Sequence, residues 1–269
     1  MKSLFTLCIV ALSFSVLQAQ NADTKKADKH FNRLEFVDAI EDYEKLIANG
    51  KSSDYVYHQL AKATYNIYDT KASERYYAKV VAQENASAES HFRYAQMLKA
   101  NGKYDMSNDW MAKFAQAAPN DARAKAFKAN PDYLQKLLDS SDKFTLKPMS
   151  LNSSYSDFGG TVYGDMMYFV SARNEARSNY GWNEQPTLDI YQAAKEGDSY
   201  ANPTPVKGDV NTKYNEGSVA ISKDGNFMYF TRNEFLDGKY GKDDDGIGQL
   251  QLYYAEKVNG EWKDVQSVP

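Results

Sequence analysis

Through the first half of the chain, apolar residues recur at the spacing of a helix face. Phe31, Ala39, Ile40, Tyr43 and Leu46 fall three or four residues apart or on adjoining turns, as a helix buried on one side requires. The same reading predicts helices over 25–34 and 37–48, over 55–68 and 71–83, and over 89–100 and 104–117. Breakers stand between them: Asn49-Gly50 closes the first pair and Asn101-Gly102 divides the third.

These pairs repeat with a period of 34 residues. Ala27, Ala61 and Ala95 share one register, Ala39, Ser73 and Ser107 a second, Tyr43, Tyr77 and Met111 a third, and Leu46, Val80 and Phe114 a fourth. The chemistry of the registers is consistent: small residues permit two helices to cross closely, and large ones fill the space beside the crossing. After Pro119 a further helical stretch, 122–138, is broken near Pro131 and is expected to cap the apolar face of the last pair.

The third unit, with Ala95, Gly102, Tyr104, Ser107 and Pro119, resembles the tetratricopeptide repeat family. The likeness covers about residues 20–121. The first unit departs from it, lacking the early aromatic and placing Lys26 where an apolar residue is usual. The resemblance implies an α-solenoid of three helix pairs whose first helices line a concave face. Carried over residue by residue, it marks Tyr55, His58, Lys62, Tyr65 and Asn66 in the second unit and Glu89, Phe92, Gln96 and Lys99 in the third. These residues form either a peptide groove with an aromatic floor and polar hooks or only the solvated inner face of a spacer.

Beyond Asp142 the period changes from helical to alternating. Thr161 to Tyr163, a Gly164-Asp165 turn and Met166 to Ser171 read as one hairpin. Ser218 to Ile221, a turn over 223–226 and Phe227 to Thr231 read as another, signalled by Asp224-Gly225. Each continues into two further strands, 188–193 with 200–206 and 250–255 with 261–265. Four short antiparallel strands make one blade of a β-propeller. The stretch from Ser218 to Phe230, with its Ser-Lys step, Asp-Gly pair and aromatic strand, resembles the WD40-like PD40 repeat, although Lys223 stands where proline is commoner. The long loops 173–187 and 233–249 carry Tyr180, Trp182, Tyr240 and the run Asp243-Asp244-Asp245-Gly246. That run misses the spacing of a calcium loop, since Gly241 occupies the first ligand position, and it reads as a solvated turn.

Composition adds compartment and excludes several function classes. Lys2 followed by an uncharged apolar run from Leu4 to Leu17 and a small residue at Ala19 reads as a signal peptide over 1–19, cut before Gln20. The single cysteine, Cys8, lies inside it, so the mature chain is expected to hold no disulfide and no thiolate metal site. The formal net charge of −4 becomes one unit more acidic when Lys2 is removed, which argues against nucleic-acid binding. No later apolar run approaches membrane-spanning length. Nucleophile elbows, His-Glu-x-x-His helices, Walker loops and paired Cys motifs are missing from the sequence, and His30, His58 and His91 occupy unrelated positions of the repeat. No catalytic residue, metal ligand or cofactor is expected.

Leader, helical repeats and PD40 blades in this order resemble the periplasmic OmpA-family proteins of Bacteroidetes, including the PorE-type component associated with type IX secretion and gliding. The resemblance implies a multidomain chain, α then β: 20–142 a tetratricopeptide domain with its cap, and 143–269 the first two blades of a propeller. It implies a periplasmic scaffold at the outer membrane, binding envelope proteins through the groove and the propeller loops. Peptidoglycan binding belongs in that family to a C-terminal domain that has no counterpart here. A TolB-like propeller scaffold without a cell-wall anchor, or the gating propeller of a peptidase, would share these features. Two blades leave open sheet edges and a half-exposed apolar face, so the chain is expected to be part of a longer product.

Overall fold

The computed structural model describes residues 23–140, 144–244, 246 and 248–268. The expected leader with Cys8, the expected boundary at 142–143 and Asp245 lie outside the described residues. The chain divides into two compact units, the main division falling between Lys128 and Ala129.

In the helical unit, α1 (Lys25–Asn32) and α2 (Phe36–Ala48) form the first hairpin. The second is α3 (Asp54–Asn66) with α4 (Thr70–Val81), and the third is α5 (Ala88–Ala100) with α6 (Tyr104–Ala117). α7 (Ala122–Ala129) closes this unit, and α8 (Tyr133–Leu138), parted from it by Pro131 as its missing N–H and fixed φ require, belongs to the second. Ser53, Asp69 and Ser87 cap α3, α4 and α5 by accepting from the amides of Val56, Ala72 and Ser90, each satisfying a donor the helix cannot use.

The 34-residue registers are the seams between helices. Ala27, Ala39, Ala61, Ala95, Ser73 and Ser107 are all at most 2 % exposed. Ser107 Oγ donates to the carbonyl of Ala95 at 2.8 Å, and Ser73 Oγ to that of Ala61 at 3.4 Å. A hydroxyl therefore joins the two small-residue registers wherever serine replaces alanine. Tyr43, Tyr77, Val80 and Phe114 fill the space alongside, each burial contributing on the order of 2 kcal/mol. Inside the first hairpin Asp28 is buried and accepts from Tyr43 Oη at 2.5 Å, Tyr55 Oη at 2.7 Å and Thr24 Oγ1 at 2.8 Å. Burial, then the Asp28 carboxylate, push the Tyr43 phenol far up and the Tyr55 phenol to about 12.

One backbone feature also keeps the period. Leu34, Tyr68 and Gly102 lie 34 residues apart and all have positive φ, at 61°, 60° and 75°. This left-handed residue turns the first helix of each pair into the second, and only the third unit has the glycine that takes it without strain.

The second unit consists mainly of two four-stranded antiparallel meanders. β1 (Asp157–Tyr163), β2 (Met166–Ser171), β3 (Asp189–Glu196) and β4 (Ser199–Pro205) lie in sequence order. The other sheet is built from β5 (Glu216–Ile221), β6 (Phe227–Asn233), β9 (Leu250–Val258) and β10 (Glu261–Ser267). Between β6 and β9 a small hairpin intervenes, β7 (Phe235–Leu236) with β8 (Lys239–Tyr240). Gly164 and Gly225 take positive φ in the first turn of each sheet. The sheets pack on each other through Tyr168 and Ile190 of one and Val219, Met228, Phe230 and Tyr253 of the other.

The lead-in to the second sheet is hydrogen-bonded to the first. The Ile190 amide donates to Asn211 Oδ1 at 2.7 Å, and Asn211 Nδ2 returns a bond to the Ile190 carbonyl at 2.9 Å. The Leu188 amide donates to Asn215 Oδ1, and the Glu216 amide to the Leu188 carbonyl, both at 3.0 Å. β3 and the residue before it thus complete their bonding with the Asn211 and Asn215 side chains ahead of β5 and with the first amide of β5.

Candidate peptide-binding groove

The residues marked by the repeat pattern lie on α3 and α5, the first helices of the second and third hairpins. Positions four apart on a helix share a face, which groups His58, Lys62 and Asn66 on α3 and Phe92 and Gln96 on α5. All nine marked residues are partly buried rather than fully exposed.

Their chemistry divides them. The Tyr55 hydroxyl is committed to Asp28 and ties α3 to α1. Gln96 Nε2 contacts Met111 Sδ at 3.7 Å, and Phe92 packs on Phe114 with ring centroids 5.2 Å apart. These three residues hold helices together. Tyr65 packs edge-on against Tyr77 at 6.1 Å and carries the Arg93 guanidinium 4.8 Å from its centroid. Glu89 accepts from Arg93 Nε and from an Arg123 amino group, both at 2.9 Å. Burial opposes charge on Glu89, but the two arginines hold it below the usual carboxylate range.

His58 and Lys62 differ from the rest. Burial, with Lys62 and Arg93 nearby, lowers the His58 imidazole to about 4, so it is neutral at pH 7. Its Nδ1 is buried without a hydrogen-bond partner. Burial, then Arg93, also lowers the Lys62 ammonium. Among the described residues, no carboxylate lies within ion-pair distance of Lys62. This part of the face is cationic and only partly hydrated.

Arg93 and Arg123 were not among the marked residues. Arg123 lies 34 residues after Glu89 and in register with Tyr55, so the period itself points to it. It stacks over Phe92 at 4.1 Å, making α7 the continuation of the inner face as well as a cap. Arg93 lies beside Phe92 in sequence, and only the packing of α3 on α5 reveals that it reaches Tyr65 and the neighbourhood of Lys62.

The sheet unit contains a second polar constellation that repeats. Asn152-Ser153-x-Tyr155-x-Asp157 and Asn211-Thr212-x-Tyr214-x-Glu216 lead into β1 and β5, 59 residues apart. Ser153 Oγ donates to Asp157 at 2.8 Å and Thr212 Oγ1 to Glu216 at 2.6 Å. Asp157 also accepts from Ser171 Oγ at 2.6 Å and Arg173 at 2.7 Å. Glu216 has Arg232 opposite it in the ladder, yet its Oε2 and the Arg232 Nε are both buried without partners. Burial pushes the Glu216 carboxyl up to about 8. An open cavity of about 540 Å³ lies beside this pair, lined by Arg232, Thr212, Phe235 and Asp264 among others. The expected loop residue Tyr240 stacks on Tyr214 with centroids 4.3 Å apart.

No protein-family model matches the chain, and no curated protein matches it. Among solved structures it is similar to the C-terminal part of a TPR repeat-containing protein from Cytophaga hutchinsonii. That match has 17 % identity and a TM-score of 0.37, over 42 % of this chain and 45 % of that one. It is also similar to the first TPR of Spaghetti (RPAP3) bound to an HSP90 peptide, at 17 % identity and a TM-score of 0.36, over 43 % and 90 %. The first TPR domain of human RPAP3 matches at 17 % identity and a TM-score of 0.35, over 44 % and 94 %. The chain spans less than half the length of the first of these.

Proposed function

We propose that the helical unit is a tetratricopeptide array that binds an extended segment of a partner protein, and that the two sheets are blades of a β-propeller, making the chain a non-enzymatic scaffold. One observation carries this reading. The 34-residue registers are consumed in holding the hairpins together, while α3 and α5 keep a partly hydrated face on which His58 and Lys62 have no structural task. A face that only spaced two other parts would have its charges matched or fully hydrated. The propeller reading rests on the repeated meander and on its repeated carboxylate–hydroxyl lead-in.

With the expected leader, the reading extends to a periplasmic protein of the outer membrane, related to the OmpA-family components linked to type IX secretion or gliding. A photo-crosslinking residue in place of Tyr65, installed in cells, tests the groove. Adducts with one envelope protein are expected, together with their loss when the crosslinker replaces the helix-facing Tyr77. Equal labelling from both positions overturns the groove. Mass spectrometry of the exported chain is expected to find Gln20 at its N-terminus, and a retained Met1 overturns the export reading.

A further inference from the structure

We propose that the groove selects an acidic segment, and that a side-chain carboxylate of the bound peptide pairs with Lys62. This rests on the groove reading and names the chemistry of its occupant. Lys62 is a partly buried ammonium with no carboxylate partner among the described residues. A cation in that setting has lost hydration without gaining a counter-charge. One turn earlier on the same face, His58 holds a buried, unpartnered Nδ1. Across from them stands Arg93, and beyond it Arg123. These two arginines share the carboxylate of Glu89, Arg123 pairs in addition with Asp121 at 2.9 Å, and each lies over an aromatic ring, Tyr65 and Phe92 respectively.

This stretch therefore sets Lys62, Arg93 and Arg123 against two carboxylates, Glu89 and Asp121, although the chain as a whole is acidic, at −4. The excess positive charge is local and fixed in place. Its complement is a monoanion. The arginine forks are already engaged by Glu89 and Asp121, which leaves the Lys62 ammonium where a phosphate dianion would need several donors. A carboxylate at Lys62 would restore the missing counter-charge in a site of reduced dielectric, where such a pair is stronger than on an open surface.

The test uses the purified chain, ¹⁵N-labelled, titrated with three fluorescent decapeptides that differ only in carrying glutamate, glutamine or lysine at alternate positions. The glutamate peptide is expected to shift amides of α3 and α5, to bind at least ten-fold tighter than the glutamine peptide at low salt, and to weaken as salt rises. Lys62→Met is expected to remove most of that preference and Lys62→Arg to retain it, with both variants checked for unchanged thermal unfolding. If the glutamine peptide binds α3 and α5 equally well, the acidic selection is wrong while the groove stands. If none of the peptides moves those amides, both fail. Stronger binding of an oligouridylate than of the glutamate peptide would also overturn the proposal.

Discussion

Asn101, at the end of α5, exchanges two hydrogen bonds with Thr70, at the start of α4. Thr70 Oγ1 donates to Asn101 Oδ1 at 2.7 Å, and Asn101 Nδ2 donates to the Thr70 carbonyl at 3.1 Å. Asn101 Nδ2 also reaches Glu74 Oε2 at 2.8 Å, and Lys103 Nζ bonds the other Glu74 oxygen at 2.6 Å. The second and third hairpins are thereby pinned at one end by side chains 31 residues apart. Asn101→Ala is expected to cost about 1–2 kcal/mol, measured as a lower urea midpoint. A change below 0.3 kcal/mol would show that water replaces these bonds without loss.

Asp28 holds α1 to its neighbours. Its replacement by alanine leaves the Tyr43 hydroxyl buried and without its main acceptor, Gln59 Nε2 being 3.4 Å away as a donor. The expected loss is about 3 kcal/mol. Tyr43→Phe removes the bond to Asp28 and the long one from Gln59 together with the buried hydroxyl itself, and is expected to cost less than half as much. Thermal unfolding of the two variants separates the cases, and equal losses would contradict the assignment of Asp28 as the shared acceptor.

Tyr68 is 69 % exposed and holds φ at 60°, so its side chain contributes little packing while its backbone is strained. Tyr68→Gly is expected to stabilise the chain by about 0.5–1 kcal/mol, the left-handed penalty less the entropy of glycine. Destabilisation in urea would mean that the ring packs more than its exposure suggests.

Glu216 makes the sheet unit sensitive to alkali. Its folded carboxyl titrates near 8 because of burial, whereas an unfolded glutamate titrates near 4.3. Between those values the folded state holds the extra proton, so stability falls as pH rises. Glu216→Gln is expected to add stability progressively from pH 5 to pH 8, on the order of 3 kcal/mol at pH 7, read as a rising melting temperature. His58 shifts in the opposite sense, to about 4, so the readout is the difference between variant and parent at each pH. A difference independent of pH would refute the buried-carboxyl account.

The helices were legible because one period governs their small and large positions together. Ala27, Ala61 and Ala95 announce the crossings, and the strand pairs follow from Asp224-Gly225 and the repeated aromatic strands. Leu34 and Tyr68 were not legible as bends. Nothing in a leucine or tyrosine signals positive φ, and only their registration with Gly102 does so. The candidate groove was half legible. The pattern found Lys62 and Glu89, but whether a charge is matched depends on which side chains meet across helices: Arg93 pairs with Glu89 within α5 yet meets Tyr65 only after α3 and α5 have packed. Tyr55 shows the converse, an inner-face residue by register whose hydroxyl is spent on Asp28. The Asn-Ser/Thr-x-Tyr-x-Asp/Glu lead-in went unread because its period of 59 differs from the offset of 61 between Met167 and Met228. β1 and β5 each carry one bulge, so the difference falls to the turns, which are short between paired Tyr163 and Met166 and longer between paired Ile221 and Met228.

The bonds between Asn211, Asn215 and β3 carry a consequence for how the sheets come apart. Because the Leu188 and Ile190 amides are held by residues that belong to the approach of β5, neither can exchange its proton with solvent by fraying of the first sheet's own edges. Their exchange requires the second sheet's lead-in to lift away, so the protection of two amides in one sheet reads out the opening of the other. The two meanders are in this sense a single cooperative folding unit.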